Sequence, residues 1–225
     1  MPREISRDEA WSLLTEWVQS PGLRRHCLAV EAAMRAHARR DGHDEGLWGV
    51  TGLLHDADWE RFPDMDTGHP RLIMEELRSR EAPEEMVRAI GSHATYLGIP
   101  RESPMERMLF AVDELSGFLL ACAYVRPEGI RGLTPKSVKR KLKQPSFAAA
   151  VNRDEVRGGA DVLGVEFDEH VRFVVAALEA QSAELGIDRG AGNGDGEAAR
   201  PGQAGGPGEA AHSGEAGGPG GHPSS

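Results

Sequence analysis

Residues 52–58 read GLLHDAD, and the interpretation of the whole chain starts from this stretch. Two leucines are followed at once by a histidine and an aspartate, at the inward end of a helix predicted from about Asp44 to His55. The apolar stripe of that helix has helical spacing and consists of Leu47, Val50, Thr51 and Leu54. Because His55 continues the stripe four residues after Thr51, an ionisable side chain is expected where a core residue should lie.

Helical spacing of apolar residues continues on both sides of this stretch. Neither sustained alternation of apolar and polar residues nor an Asn-Gly hairpin signal appears, so the predicted fold class is all-α. Besides 44–55, helices are predicted over about residues 23–40, 69–80, 154–163 and 168–185, with others opened by Ser6, Pro83, Ser103-Pro104 and Thr134-Pro135.

Composition divides the 225 residues into two parts. Residues 189–225 hold 13 of the 28 glycines and four of the 14 prolines, and no aromatic residue. Such a segment cannot bury enough apolar surface to offset its chain entropy. We therefore predict one all-α domain over residues 1–188 and a disordered Gly/Pro-rich tail over residues 189–225.

The net charge and the cysteine content limit which partners and which location are expected. The formal net charge of −10 argues against a stable nucleic-acid partner and against binding to anionic membranes. Cys27 and Cys122 form no disulfide framework, and neither a secretory signal nor a membrane span is apparent. A cytoplasmic location without membrane contact is therefore expected.

Six ionisable residues are predicted to lie on or beside the inward faces of the helices. Burying a carboxylate without a partner costs several kcal/mol, and these stripes carry no Lys or Arg. A single histidine on an apolar stripe is usually an ordinary core or boundary residue, but the co-occurrence of four histidines and two aspartates indicates a metal site inside a helical bundle. Imidazole and carboxylate ligands together suit Fe, Mn, Zn, Co or Ni. The six are His26, His55, Asp56, His69, His93 and Asp113.

The remaining ordered histidines are not expected to take part. His37 falls in Arg-rich sequence, His43 falls in a turn, and His170 is predicted to be exposed to solvent.

The order His26, then His55-Asp56, then Asp113 is the pattern H…HD…D, and it resembles the HD-domain superfamily of metal-dependent phosphohydrolases. The stretch GLLHDAD is similar to the LLHDIG region of that family. The resemblance covers about residues 23–124, while residues 125–188 look like the additional helices of an uncharacterised bacterial HD hydrolase subgroup. It implies an HD-domain helical bundle around a divalent transition metal bound by these four residues.

The resemblance also implies a second ion. His69 and His93 match the two intervening histidines of the binuclear branch of the superfamily, in which the aspartate of the His-Asp pair bridges both ions. No GYP signature follows the pair, so the cyclic-di-GMP branch is not assigned. Asp58 is expected either to act as a base or hydrogen-bond partner of a ligand histidine, or to be a loop carboxylate.

The implied activity is hydrolysis of a small-molecule phosphate ester, with a nucleotide as the favoured substrate and Asp56 and Asp58 as the catalytic residues. Lys136 and Lys139, near the start of a basic helix, and Arg25 are expected to bind the phosphate, although a solvated basic face is the other reading. The alternatives are a di-iron HD-type oxygenase, a non-catalytic metal- or nucleotide-binding sensor, and a structural metal site. A homo-oligomer is a further possibility, since additional C-terminal helices often need a partner surface.

Overall fold

A computed structural model describes residues 2–188, and the predicted disordered tail, residues 189–225, lies outside the described residues. All regular structure between residues 2 and 188 is helical, which confirms the all-α prediction. A 3₁₀ turn, Thr95–Leu97, follows the fifth helix. The α-helices are α1 (Arg7–Trp17), α2 (Pro21–Asp41), α3 (Glu45–Leu54), α4 (Arg71–Ser79), α5 (Glu84–His93), α6 (Pro104–Tyr124), α7 (Pro135–Leu142), α8 (Arg153–Leu163) and α9 (Phe167–Ala180).

Side-chain caps and prolines set where several helices begin. The hydroxyl of Ser103 accepts a hydrogen bond from the backbone N–H of Glu106, whose carboxylate accepts one from the N–H of Ser103 in return. Ser20 caps α2 in a similar way, so α2 begins at Pro21 rather than near residue 23. Proline is tolerated there because the first turn of a helix leaves its backbone N–H groups unpaired.

Helices α2 and α6, each 21 residues long, form the centre of the bundle. Helix α2 packs against α3, α6 and α9, and α6 packs against α5 and α8. The side chains of Met34, Leu53, Leu54, Leu109 and Phe118 are fully buried between these helices. Helices α8 and α9 therefore extend the core of residues 23–124. Among the helices of residues 2–188, none combines the length and the apolar character that a membrane span requires.

The prediction that His170 is exposed to solvent is wrong. His170 lies on the buried face of α9, and its Nε2–H donates a hydrogen bond of 3.0 Å to the carbonyl of Ala111 on α6. His37 is also buried, and its ring lies 4.2 Å from that of Phe173. Burial, together with the charge of Arg40, lowers the pKa of His37 to about 3. Both are neutral core histidines, and His170 follows the helical spacing of Val171 and Val174.

A glycine allows α8 to approach α6 closely. A Cβ atom added to Gly159 would lie 2.8 Å from the Cα of Ala111, inside the backbone of α6. By contrast, a Cβ added to the neighbouring Gly158 would have no atom within 4 Å. Only Gly159 is therefore needed for the packing of α8.

We predict that Gly159→Ala destabilises the protein by about 1–3 kcal/mol, because α8 must move away from α6. Thermal unfolding should show a lower Tm. Gly158→Ala is the matched control and should leave the Tm unchanged or raise it, since alanine favours a helix over glycine by up to ~1 kcal/mol. Equal Tm values for the two variants would contradict the packing described.

Candidate metal centre

Five segments of the chain bring the six predicted residues together. His26 lies on α2, His93 is the last residue of α5, and Asp113 lies in the middle of α6. His55 and Asp56 directly follow α3, and His69 lies just before α4. The structure places all six in two groups, within each of which the ligand atoms lie within 4.8 Å of one another: His26, His55, Asp56 and Asp113, and then Asp56, His69 and His93.

In the first group two imidazole nitrogens and two carboxylates converge. The Nε2 atoms of His26 and His55 are 3.2 Å apart. Each also faces Oδ1 of Asp113, at 3.1 Å from His26 and 3.3 Å from His55. Oδ2 of Asp56 lies 3.6 Å from His26 Nε2 and 3.5 Å from His55 Nε2. Four ligand atoms therefore surround one point.

The second group uses the other oxygen of Asp56. Its Oδ1 lies 3.5 Å from Nε2 of His69 and 3.5 Å from Nε2 of His93. One carboxylate therefore points one oxygen at each group. Asp56 could therefore serve as a ligand in both groups.

Hydrogen bonds at the far side of each ring orient three of the histidines. The Nδ1–H of His55 donates to the carbonyl of Gly52 at 2.8 Å, and that of His93 donates to the carbonyl of Ile90. A carbonyl only accepts, so Nδ1 carries the hydrogen of the neutral ring in both. The Nε2 atom of each neutral ring then carries no hydrogen, and its lone pair points towards the other residues of the cluster.

Asp58 orients the third histidine. Its side chain is fully buried, its Oδ1 accepts a 2.7 Å hydrogen bond from Nδ1–H of His69, and its Oδ2 accepts one of 3.0 Å from the backbone N–H of Ile73. The hydroxyl of Tyr96 adds a hydrogen bond to the carbonyl of His69 at 2.7 Å. Asp58 therefore acts as the hydrogen-bond partner of a histidine in the cluster rather than as a free loop carboxylate.

The charges of the cluster call for a cation. Burial alone lowers the pKa of His55, but the charges of Asp56 and Asp113 outweigh it and raise this pKa to about 9. Burial alone would raise the pKa of Asp56 and of Asp113, but His55 and the other histidines hold both below the usual range. A proton on His55 thus occupies a place where a metal ion would also be favoured. The donor set of neutral imidazoles and carboxylates fits a divalent transition metal.

The cluster lies at the bottom of a cavity of about 600 Å³. The side chains of Asp56 and Asp113 keep 14% and 18% of their surface exposed, whereas that of His55 keeps none. The centre is therefore accessible from one side. Such a volume lies in the range of small-molecule sites. Apolar and aromatic side chains also line it, namely Leu23, Trp59, Met65, Tyr96 and Val151.

Residues 149–153, between α7 and the start of α8, and Glu155 in the first turn of α8 form part of the cavity wall. Arg153 holds this loop in place, because its guanidinium donates to the carbonyls of Gln144, Pro145, Phe147 and Val151. The backbone N–H of Asn152 donates to Oε2 of Glu114 on α6 at 3.2 Å. Sequence reasoning missed this wall, since nothing local in residues 149–155 marks them as neighbours of a site far away in the chain.

Two acidic side chains of the wall carry perturbed pKa values. Burial, and next the charge of Asp113, raises the pKa of Glu114 to about 8. Burial likewise raises the pKa of Glu155, whose Oε1 accepts a 3.1 Å hydrogen bond from the hydroxyl of Thr95. Both lie close enough to the cluster to feel the charge of Asp113.

The three predicted phosphate-binding residues do not lie at this cavity. Lys136 and Lys139 are exposed on α7, and the Nζ of Lys139 pairs with the carboxylate of Asp168 on α9 at 2.8 Å. Arg25 points towards the end of the described chain, where its Nε is the nearest atom to a Cβ added at Gly186. The expectation that these residues face the site is therefore not met, because the basic helix turns its charges to solvent and to α9.

The fold and the site together define a class: an all-helical domain with a buried histidine–aspartate centre that can hold metal ions at the bottom of an accessible cavity. Residues 23–117 match the family model of the HD domain. Residues 23–117 therefore form an HD domain, which supports membership of the HD-domain superfamily, whose members are mostly metal-dependent hydrolases. The chain matches no curated protein and no solved structure, so its place in a particular subgroup stays a prediction.

We predict that Asp58→Asn weakens binding of the second metal equivalent by about 10–100-fold, because asparagine has one acceptor oxygen where Asp58 uses two, for the Nδ1–H of His69 and the N–H of Ile73, and it also removes the negative charge beside His69. The first equivalent should bind as in the wild type, since Asp58 contacts none of its ligands. Competition titration against a metal-binding dye measures both affinities.

Asp66→Asn is the control, because Asp66 is an exposed carboxylate of the same loop. It should bind both equivalents normally. Unchanged binding of both equivalents by Asp58→Asn would show that the Asp58–His69 hydrogen bond has no role at a metal site.

Proposed function

We propose that this protein is a metal-dependent phosphohydrolase that cleaves a small phosphate ester, with a mononucleotide among the molecules of suitable size. The observation that carries the proposal is the carboxylate of Asp56, which presents one oxygen to each of the two ligand groups at the bottom of the cavity. Membership of a superfamily of mostly metal-dependent hydrolases supports it.

In this proposal His26, His55, Asp56 and Asp113 hold one divalent ion, and Asp56, His69 and His93 hold a second. When bound, such ions lower the pKa of a coordinated water and withdraw charge from a phosphoryl oxygen, and two of them clamp the attacking and the phosphoryl oxygens together. Hydrolysis of a phosphate ester needs mainly positioning and charge stabilisation from the protein.

The chain's own residues then have two tasks. The carbonyls of Gly52 and Ile90 and the carboxylate of Asp58 keep the hydrogens of three imidazoles on Nδ1, so that each Nε2 stays free to bind. Asp58 contacts His69 and the backbone of Ile73, and so it is assigned as a positioning residue rather than a group that touches substrate.

The second task, to limit the access of water to the cluster, falls to the side chains of the cavity wall. Trp59 packs edge-on against His69 with ring centroids 5.0 Å apart, and together with Met65 and Val151 it forms apolar surface around the cluster. These side chains reduce the access of bulk water to the reacting groups. In a drier site the charges of the cluster act more strongly on a bound phosphoryl group.

We predict that His55→Ala and Asp56→Ala each abolish hydrolysis of phosphate esters by metal-loaded protein, with a fall in kcat/KM of at least about 1000-fold, because each removes a ligand of the first ion. Release of inorganic phosphate from a panel of mononucleotides and simple phosphomonoesters measures the effect. His43→Ala is the control: His43 is exposed and stacks on Trp48 outside the site, so activity should be retained.

If both His55→Ala and Asp56→Ala still hydrolyse phosphate esters, the assigned metal site is not the catalytic site. Oxygen consumption by iron-loaded protein, without release of phosphate, would instead favour the oxygenase alternative. Tight binding of a nucleotide without any product would favour the sensor.

A further inference from the structure

The cavity has two acidic side chains that the proposed hydrolysis does not use. Glu114 follows Asp113 on α6, and Glu155 lies in the first turn of α8. Both line the cavity beside the cluster. Glu114 keeps one carboxylate oxygen, Oε1, free of a hydrogen bond among the described residues, and so does Glu155, through its Oε2.

Among residues 2–188, no Lys or Arg side chain lines this cavity with an uncommitted positive charge, and Arg101, which does not line it, stacks on Phe110 and donates a 2.9 Å hydrogen bond to the hydroxyl of Thr95. Arg153 is the basic side chain that lines it, apart from the histidines of the cluster. Both terminal nitrogens of Arg153 donate to backbone carbonyls of residues 144–151, and its Nε is buried. The guanidinium is therefore committed to holding the loop, and Lys136 and Lys139 lie elsewhere.

These two observations divide the cavity by charge. When metal is bound, the positive charge that a phosphoryl group needs lies at the cluster. The side chains of the wall supply no further uncommitted positive charge. The part of the substrate that reaches Glu155 meets carboxylate oxygens, which accept hydrogen bonds and repel anions. A second phosphate or a carboxylate at that place would lie beside the carboxylate of Glu155, while the guanidinium of Arg101 is already bonded to Thr95.

We propose that Glu155 selects substrates with a single phosphoryl group whose organic part carries a hydrogen-bond donor, a hydroxyl or an ammonium group, and rejects those with a second anionic group there. The inference rests on the proposed function for the location of the phosphoryl group. It places monophosphates with sugar or polyol hydroxyls among the substrates and nucleoside di- and triphosphates outside them.

The test uses two phosphonates, which cannot be hydrolysed as esters and so report on binding alone. The 3-hydroxypropylphosphonate and 2-carboxyethylphosphonate ions differ only by a CH₂OH group in place of a carboxylate. Calorimetric titration into the Mn²⁺-loaded full chain gives both Kd values. We expect the hydroxyl compound to bind at least tenfold more tightly to the wild type, and Glu155→Gln to reduce this ratio to below about threefold.

Asp154→Asn is the matched control, since it makes the same change of charge one residue earlier on α8, where the side chain is 97% exposed. It should keep the wild-type ratio. A wild-type ratio near one, a ratio unchanged in Glu155→Gln, or no binding of either phosphonate overturns the inference. Phosphate release from esters is measured separately, so a chain that binds selectively but hydrolyses nothing defeats the proposed function and leaves this selectivity standing.

Discussion

The central physical constraint in this molecule is the convergence of acceptor groups around Asp56. Lone pairs of four imidazoles and oxygens of two carboxylates meet within a few ångströms in a mostly buried place. Such a cluster is unstable unless a proton or a cation balances it. The raised pKa of His55 shows that the fold itself favours positive charge there. A bound metal ion would satisfy this demand for positive charge, and hydrogen bonds orient the rings of His55, His69 and His93 towards it.

The helices supply the rigidity that this convergence requires. His26 projects from the second turn of α2 and Asp113 from the middle of α6, where neighbouring turns fix the backbone. The backbone of α6 at Gly117 passes close to the ring of His26, since an added Cβ would be in van der Waals contact with its Nδ1 at 3.4 Å. Hydrogen bonds from His55, His69 and His93 to fixed acceptors orient the remaining rings. The C-terminal helices then add a wall to the cavity rather than ligands to the centre.

The helical spacing of apolar residues was sufficient to predict the all-α fold. It also singled out the six ionisable residues that the structure places in the two groups. An inward position in a helix is set locally, so His26 and Asp113 were recognisable from their neighbours. The cavity wall was not predictable, because the contact of Asn152 with Glu114 joins residues 38 positions apart. The basic helix was misleading for the same reason: the partner of Lys139, Asp168, lies on a helix that comes later in the chain. The burial of His170 had a short-range signal, because His170 shares the apolar stripe of α9 with Val171 and Val174, but its partner Ala111 lies 59 positions earlier in the chain.

The central claim is that one carboxylate joins two metal sites. The most direct test is the metal content of the full chain, purified without added metal and then titrated to saturation, beside Asp56→Ala. Elemental analysis of the wild type should give two equivalents of a divalent transition metal per chain, and Asp56→Ala should lose at least one of them. A single equivalent in the wild type, or two equivalents that persist in Asp56→Ala, would contradict this account.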